Sequence, residues 1–155
     1  MMKYKILNKK EKEKLLKEIA TQYKTKDLKE LLSYGFLKDK ENKVYLLSKD
    51  INVQFLKETP RVGLYFCKFE KDGIRLSIEG SQLLKRFLTK SSKMLTLNQK
   101  QLELWFKGED INIEKNLYGW FILLYNKDII GCGKVKNGIL LNYLPKERRV
   151  KELIV

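Results

Sequence analysis

Apolar residues recur along this chain at two spacings, one helical and one extended. Behind Asn8, the positions Leu15, Leu16, Ile19, Ala20 and Tyr23 fall on one face at helical spacing, so the pattern predicts a helix capped by Asn8. The residues between them, from Lys9 to Glu18, are charges of alternating sign and form its solvent face. Asp27 is placed to cap a short second helix carrying Leu28, Leu31 and Leu32 and ending near Gly35. Phe36-Leu37 and Lys43–Leu47 flank the polar break Asp39–Asn42 and read as a hairpin. A further short helix is expected from Ser48 through Ile51, Phe55 and Leu56 to a stop at Pro60. Val62–Phe69 then reads as a strand, Lys71-Asp72-Gly73 as a tight turn, and Ile74–Ile78 as an alternating strand with Arg75 and Ser77 on its polar face. Glu79–Leu88 closes this half as a helix burying Leu83, Leu84 and Phe87.

The polar segment Thr89–Lys93 is the natural linker. Beyond it, Met94–Leu97 reads as a strand, and Asn98 caps a helix over Gln99–Lys107 with Leu102, Trp105 and Phe106 inward. Gly108-Glu109-Asp110 leaves that helix toward Ile111 and Ile113. Three apolar runs follow, Gly119–Tyr125, Ile129–Val135 and Ile139–Leu144, broken at Asn126-Lys127-Asp128 and Lys136-Asn137-Gly138. They predict an antiparallel meander ending in a basic tail behind Pro145. The expected fold class is α+β: an N-terminal α+β domain at 1–90 with a bent antiparallel sheet, then a small β-barrel at 91–155.

Charge changes the picture more than composition does. Lys and Arg number 33 against 19 Asp and Glu, a net charge of +14, and a polyanion is the partner such an excess fits, nucleic acid first. The excess is +10 over residues 1–90 and +4 over 91–155, which leaves two readings of the N-terminal half: a contribution to electrostatic binding, in a groove shared between the domains, through Lys57, Arg61, Lys68, Lys71, Arg75, Lys85, Arg86 and Lys90, or a unit that docks a protein partner and carries its charge for solubility. Histidine is absent, which removes the commonest general base, the imidazole metal ligands and the Ser-His and Cys-His nucleophile pairs. Cys67 and Cys132 sit in apolar runs and read as buried thiols. No run of eighteen apolar residues predicts a membrane span, and no apolar signal region opens the chain, so a cytoplasmic protein without membrane contact is expected.

Gly131-Cys132-Gly133-Lys134, Asn137-Gly138 and Asn142-Tyr143-Leu144-Pro145-Lys146 resemble the LGxGK…NGxLKNxxPK signature of PUA-like RNA-binding domains, in the variant attached to Sun/Fmu-type rRNA methyltransferases. Ile130 and Leu141 replace the usual Leu and Lys of that pattern. Strand, short helix, glycine and strands is also the PUA order. Lys43–Ser48, Gly63–Phe69 and Asp72–Ile78 resemble the N-terminal domain of the Nip-seven ribosome-biogenesis family, in which an α+β unit precedes a PUA domain.

The resemblance implies a non-enzymatic protein that needs no cofactor or metal and binds RNA, rRNA or pre-rRNA foremost, in ribosome biogenesis and rRNA processing. Ribosome-assembly or RNA-modification proteins would be its companions. It places RNA at the short helix and its glycine loop, hence Lys107 and Gly108. The tail adds Lys134, Lys136, Lys146, Arg148 and Arg149 as phosphate contacts, with Asn137 and Asn142 at base edges or a 2′-hydroxyl and Tyr143 as a stacking ring. Two rival readings stand beside it: an accessory subunit of an RNA-modifying enzyme, a methyltransferase or a transglycosylase, and a protein-interaction adaptor.

Overall fold

The computed structural model describes residues 4–48, 63–113 and 116–150. The helix expected between Ser48 and Pro60, along with Arg61 and Val62, lies outside the described residues. The first described strand, β1 (Lys5–Ile6), leads into helix α1 (Lys9–Tyr23). The Asn8 side chain accepts from the Glu11 N–H while Glu11 accepts from the Asn8 N–H, each at 2.9 Å, a reciprocal cap that fixes where the helix starts. Leu15, Leu16, Ile19 and Tyr23 are buried, as the spacing predicts. The second expected helix is a 3₁₀ turn, Lys29–Ser33; Asp27 accepts from the Lys29 N–H as an Asx turn at its entry.

Strands β2 (Gly35–Lys38) and β3 (Lys43–Leu47) form the expected hairpin. With β4 (Leu64–Glu70) and β5 (Gly73–Leu76) they complete an antiparallel sheet in the order β1-β2-β3-β4-β5. β5 is shorter than its alternation suggests. Ser77 leaves the strand and caps helix α2 (Ile78–Leu83), accepting the Gly80 N–H at 2.8 Å while its hydroxyl lies against the Tyr65 and Phe66 carbonyls of β4. The expected helix to Leu88 therefore divides into α2 and a 3₁₀ turn at Lys85–Phe87.

Residues 89–93 are held in place. Ser92 is buried; its hydroxyl donates to the Lys24 carbonyl at 2.7 Å and accepts the Thr89 N–H at 2.8 Å, and the Lys93 N–H donates to the Tyr23 carbonyl. Strand β6 (Met94–Thr96) then opens a second sheet, followed by helix α3 (Gln99–Phe106) with an Asn98–Gln101 reciprocal cap. Strands β7 (Ile111–Asn112), β8 (Gly119–Tyr125), β9 (Asp128–Lys136) and β10 (Ile139–Leu141) complete it in the order β6-β8-β9-β10-β7, with β6 parallel to β8 and the remaining pairs antiparallel. The overall class is α+β, with this second sheet curled as a partial barrel.

The β8–β9 hairpin joins the two sheets by burying both of its faces. Trp120 and Ile122 of β8 and Ile129 and Cys132 of β9 belong to one apolar cluster with Leu15, Ile19, Phe36, Phe66 and Ile74. Phe121, Leu123 and Val135 point the other way, into a cluster with Leu95, Trp105 and Leu140. An apolar run that does not alternate with polar residues is what a strand buried on both sides requires.

Helix α2 sits close against β4: a Cβ on Gly80 would lie 2.0 Å from the Phe66 carbonyl oxygen. The expected outcome for Gly80→Ala is a loss of at least the 1–3 kcal/mol typical of overpacking, read as a lower urea midpoint at unchanged slope.

Candidate nucleic-acid interface

The exit from β10 is organised by Asn142. Its side-chain amide donates to the Trp105 carbonyl at 2.8 Å and the Glu109 carbonyl at 3.0 Å, its side-chain oxygen accepts the Leu144 N–H at 2.8 Å, and its own N–H donates to the Asp110 carboxylate at 2.9 Å. The C-terminal end of α3, the glycine loop and the start of the tail are thereby tied at one point. Asn142 thus serves inside the domain, with both amide hydrogens and its oxygen engaged. Asp110, which would repel a phosphate if free, is turned onto the Asn142 backbone.

Gly108 has a physical requirement, and the chain itself supplies it. Its φ is +87°, and a Cβ there would sit 2.5 Å from Cδ and Nε of Arg149. Arg149 crosses the glycine and donates from Nε to the Leu144 carbonyl at 3.1 Å, and the Val150 N–H donates to the Phe106 carbonyl at 2.8 Å. The group that approaches the glycine loop closely in this structure is the tail's own guanidinium. Lys107, next to it, is exposed at the end of α3.

The remaining sequence-derived candidates divide into three places. Lys134 is turned inward, paired with Asp72 and lying 5.9 Å from the Trp120 ring, with its side chain only 12% exposed. Lys136 and Asn137 are exposed at the β9–β10 hairpin tip, where Asn137 and Gly138 have φ of +53° and +75°, the left-handed pair of a tight hairpin turn. Tyr143, Lys146, Arg148 and Arg149 line a cleft of about 630 Å³ whose opposite wall is the N-terminal sheet.

That opposite wall contains Lys43, Tyr65, Arg75 and Glu79; a groove shared between the halves was legible with Arg75 in it, whereas Lys43, Tyr65 and Glu79 were not singled out. Arg75 was legible as an N-terminal cation, but its partners were not. Its guanidinium lies 4.8 Å above the Tyr143 ring, and its Nε is 3.6 Å from Glu70. Tyr143 also meets Trp120 at 5.1 Å between ring centroids. Burial, with the Glu70 carboxylate adding to it, raises the Tyr143 phenol above its ordinary range, so the ring stays neutral. The Tyr143 ring is engaged by protein groups, Trp120 and the Arg75 guanidinium, and Arg75 lines the cleft beside it. Arg148 reaches Glu79 at 3.3 Å; Lys146 and Arg149 are exposed along the same edge.

The cleft is therefore basic, with five Lys/Arg side chains against Glu79 and Glu147. Among the described residues that line it, Cys132 is buried; burial pushes that thiol up to about 11, and its Sγ contacts the Tyr23 hydroxyl at 3.1 Å, so it is not set up as a nucleophile. Among the described residues no cluster of His, Cys, Asp and Glu has the makings of a metal site, and no helix is long and apolar enough to cross a membrane.

Removing the Asn142 side chain strands the Trp105, Glu109 and Leu144 backbone groups together. Asn142→Ala is expected to cost about 2–3 kcal/mol in chemical denaturation, the scale of unsatisfied, part-buried polar groups.

No curated protein matches the chain. Residues 92–150 do match a family model, that of the PUA domain of methyltransferase RsmF. The segment from Ser92 to Val150, which holds α3, the glycine loop, the curled sheet and the basic tail, is a PUA-like domain.

Proposed function

We propose that this protein binds RNA through its PUA-like domain, performs no chemistry itself, and acts in the cytoplasm to assist rRNA processing or ribosomal subunit assembly. The observation that carries the reading is the PUA match over residues 92–150. A net charge of +14 and an exposed edge of Lys107, Lys146, Arg148 and Arg149 supply the electrostatics such a ligand needs. The ribosomal role rests on the likeness of the N-terminal half to the Nip-seven family. The chain has no histidine, the commonest general base, which fits a binding protein.

A second reading has a specific observation in its favour: the matching model describes a domain of a methyltransferase. In that reading the chain delivers RNA to a separate modifying enzyme, and adding it to such an enzyme would speed methylation of a structured rRNA fragment.

The test is RNA affinity against salt. Arg149 is left in place, because it packs on Gly108. The Lys107→Ala/Lys146→Ala/Arg148→Ala variant is expected to weaken binding of a structured rRNA fragment. Its slope of log affinity on log salt should be shallower by about 2, at roughly 0.7 per lost phosphate contact. Identical slopes in the two proteins would remove RNA from this edge, and no binding at moderate salt would end the RNA reading.

A further inference from the structure

The inter-sheet cleft holds a carboxylate that a plain phosphate groove would exclude. Glu79 projects from the first turn of α2 into a cleft whose other charged residues, Glu147 apart, are Lys43, Arg75, Lys146, Arg148 and Arg149. One of its oxygens, Oε1, is 3.3 Å from Arg148. The other, Oε2, is buried and has no hydrogen-bond partner among the described residues. A closed-off acceptor without a donor is costly, and because the Glu79 side chain is 36% exposed, a small movement of its carboxylate would open that oxygen to a ligand's N–H.

The surroundings limit what that ligand is. Arg75 lines the cleft with its guanidinium carbon 4.8 Å from the Tyr143 ring centroid and its Nε 3.6 Å from Glu70; its side chain is 20% exposed, and a guanidinium is a planar cation against which a planar ring can pack. The cationic edge suits a phosphate. At about 630 Å³ the space falls within the usual range for small-ligand sites, roughly 300–1,000 Å³. A planar ring, an anionic group and N–H donors facing a carboxylate describe a nucleotide whose base has adjacent donors. Guanine presents N1–H and N2–H side by side and can make two parallel bonds to a carboxylate. Adenine and cytosine place a ring acceptor next to their single amino group, and uracil flanks its one N–H with two carbonyls, so each sets a lone pair against Glu79.

Building on the RNA-binding reading, we infer that this cleft is a guanine-selective nucleotide site, in which an unstacked guanine of single-stranded RNA lies on Arg75 and donates to Glu79. Arg148 covers Glu79 in the free protein; on binding it exchanges that carboxylate for the phosphate of the incoming nucleotide. The PUA-like domain and the N-terminal sheet then read one RNA together, which gives the charge on the N-terminal half a use.

The test uses the full chain and end-labelled, uridine-rich heptamers that differ only at the central base, with fluorescence anisotropy as the readout. Wild type is expected to bind the guanine heptamer about tenfold more tightly than the adenine heptamer, the scale of a two-bond base contact. The inosine heptamer, which lacks N2–H, should fall between them. Glu79→Gln should bring the guanine heptamer down to the adenine level while leaving the adenine heptamer as tight or tighter, because a negative charge has gone. Equal binding of guanine and adenine by wild type would overturn the inference and leave the RNA reading standing, as would a guanine preference that survives in Glu79→Gln. If no heptamer binds and the structured rRNA fragment also fails to bind, both fall.

Discussion

The β8–β9 hairpin is apolar on both faces, and the position of nearly every group in the cleft traces back to it. Its alternating side chains feed two clusters: Trp120, Ile122, Ile129 and Cys132 face the core built on α1 and the first sheet, while Phe121, Leu123 and Val135 face the PUA-like domain's own core. Full burial of such side chains stabilises by about 1.5–3 kcal/mol each, so this two-sided hairpin outweighs any single polar contact between the halves. Polar bonds hold the elements that pack beside it. The Tyr23 hydroxyl donates to the Ile74 carbonyl at 2.6 Å, and Gln22 bonds both backbone groups of Ile74, so the end of α1 is pinned to β5 beside the hairpin.

This arrangement makes the cleft a consequence of the core. β5 presents Arg75 on one side of the seam, and the tail leaving β10 presents Tyr143 and Arg148 on the other. The seam cannot open without separating Trp120 from the core it shares with Ile74. Asn142 holds the tail to α3, and Arg149 crosses Gly108, so the cationic edge is set by backbone geometry rather than by flexible lysines alone. An edge organised in this way loses less side-chain freedom when it meets a ligand.

Much of the fold was legible because the signals were local. Asn8 and Asn98 each cap a helix with an acid or amide three residues on, and Asn137-Gly138 has the residue types a left-handed turn demands. The meander was legible from its breaks. What the sequence hid were contacts between distant residues. Lys134 looks like a phosphate ligand beside its glycines, but Asp72, far away in sequence, takes it. Thr89–Lys93 has a linker's composition, yet Ser92 finds the Lys24 carbonyl, and no local pattern encodes that meeting. Ser77 continued an alternating strand on paper; its hydroxyl does more as a helix cap against β4. At the site, the cationic tail and the glycine were readable, whereas the pairing of Arg75 with Tyr143 and of Glu79 with Arg148 depends on how the two sheets meet.

The two tryptophans provide the most direct test of the shared hairpin, because Trp120 lies in one cluster and Trp105 in the other. Trp105→Phe leaves a reporter in the first core, and Trp120→Phe leaves one in the second. Each variant would be unfolded in urea and followed by tryptophan fluorescence and by far-ultraviolet circular dichroism. If the hairpin makes the two cores one cooperative unit, the two signals in each variant share a single midpoint and slope. A fluorescence transition separated from the circular dichroism transition in either variant would mean that the cores melt independently, and the cleft between them would lose its claim to be a fixed site.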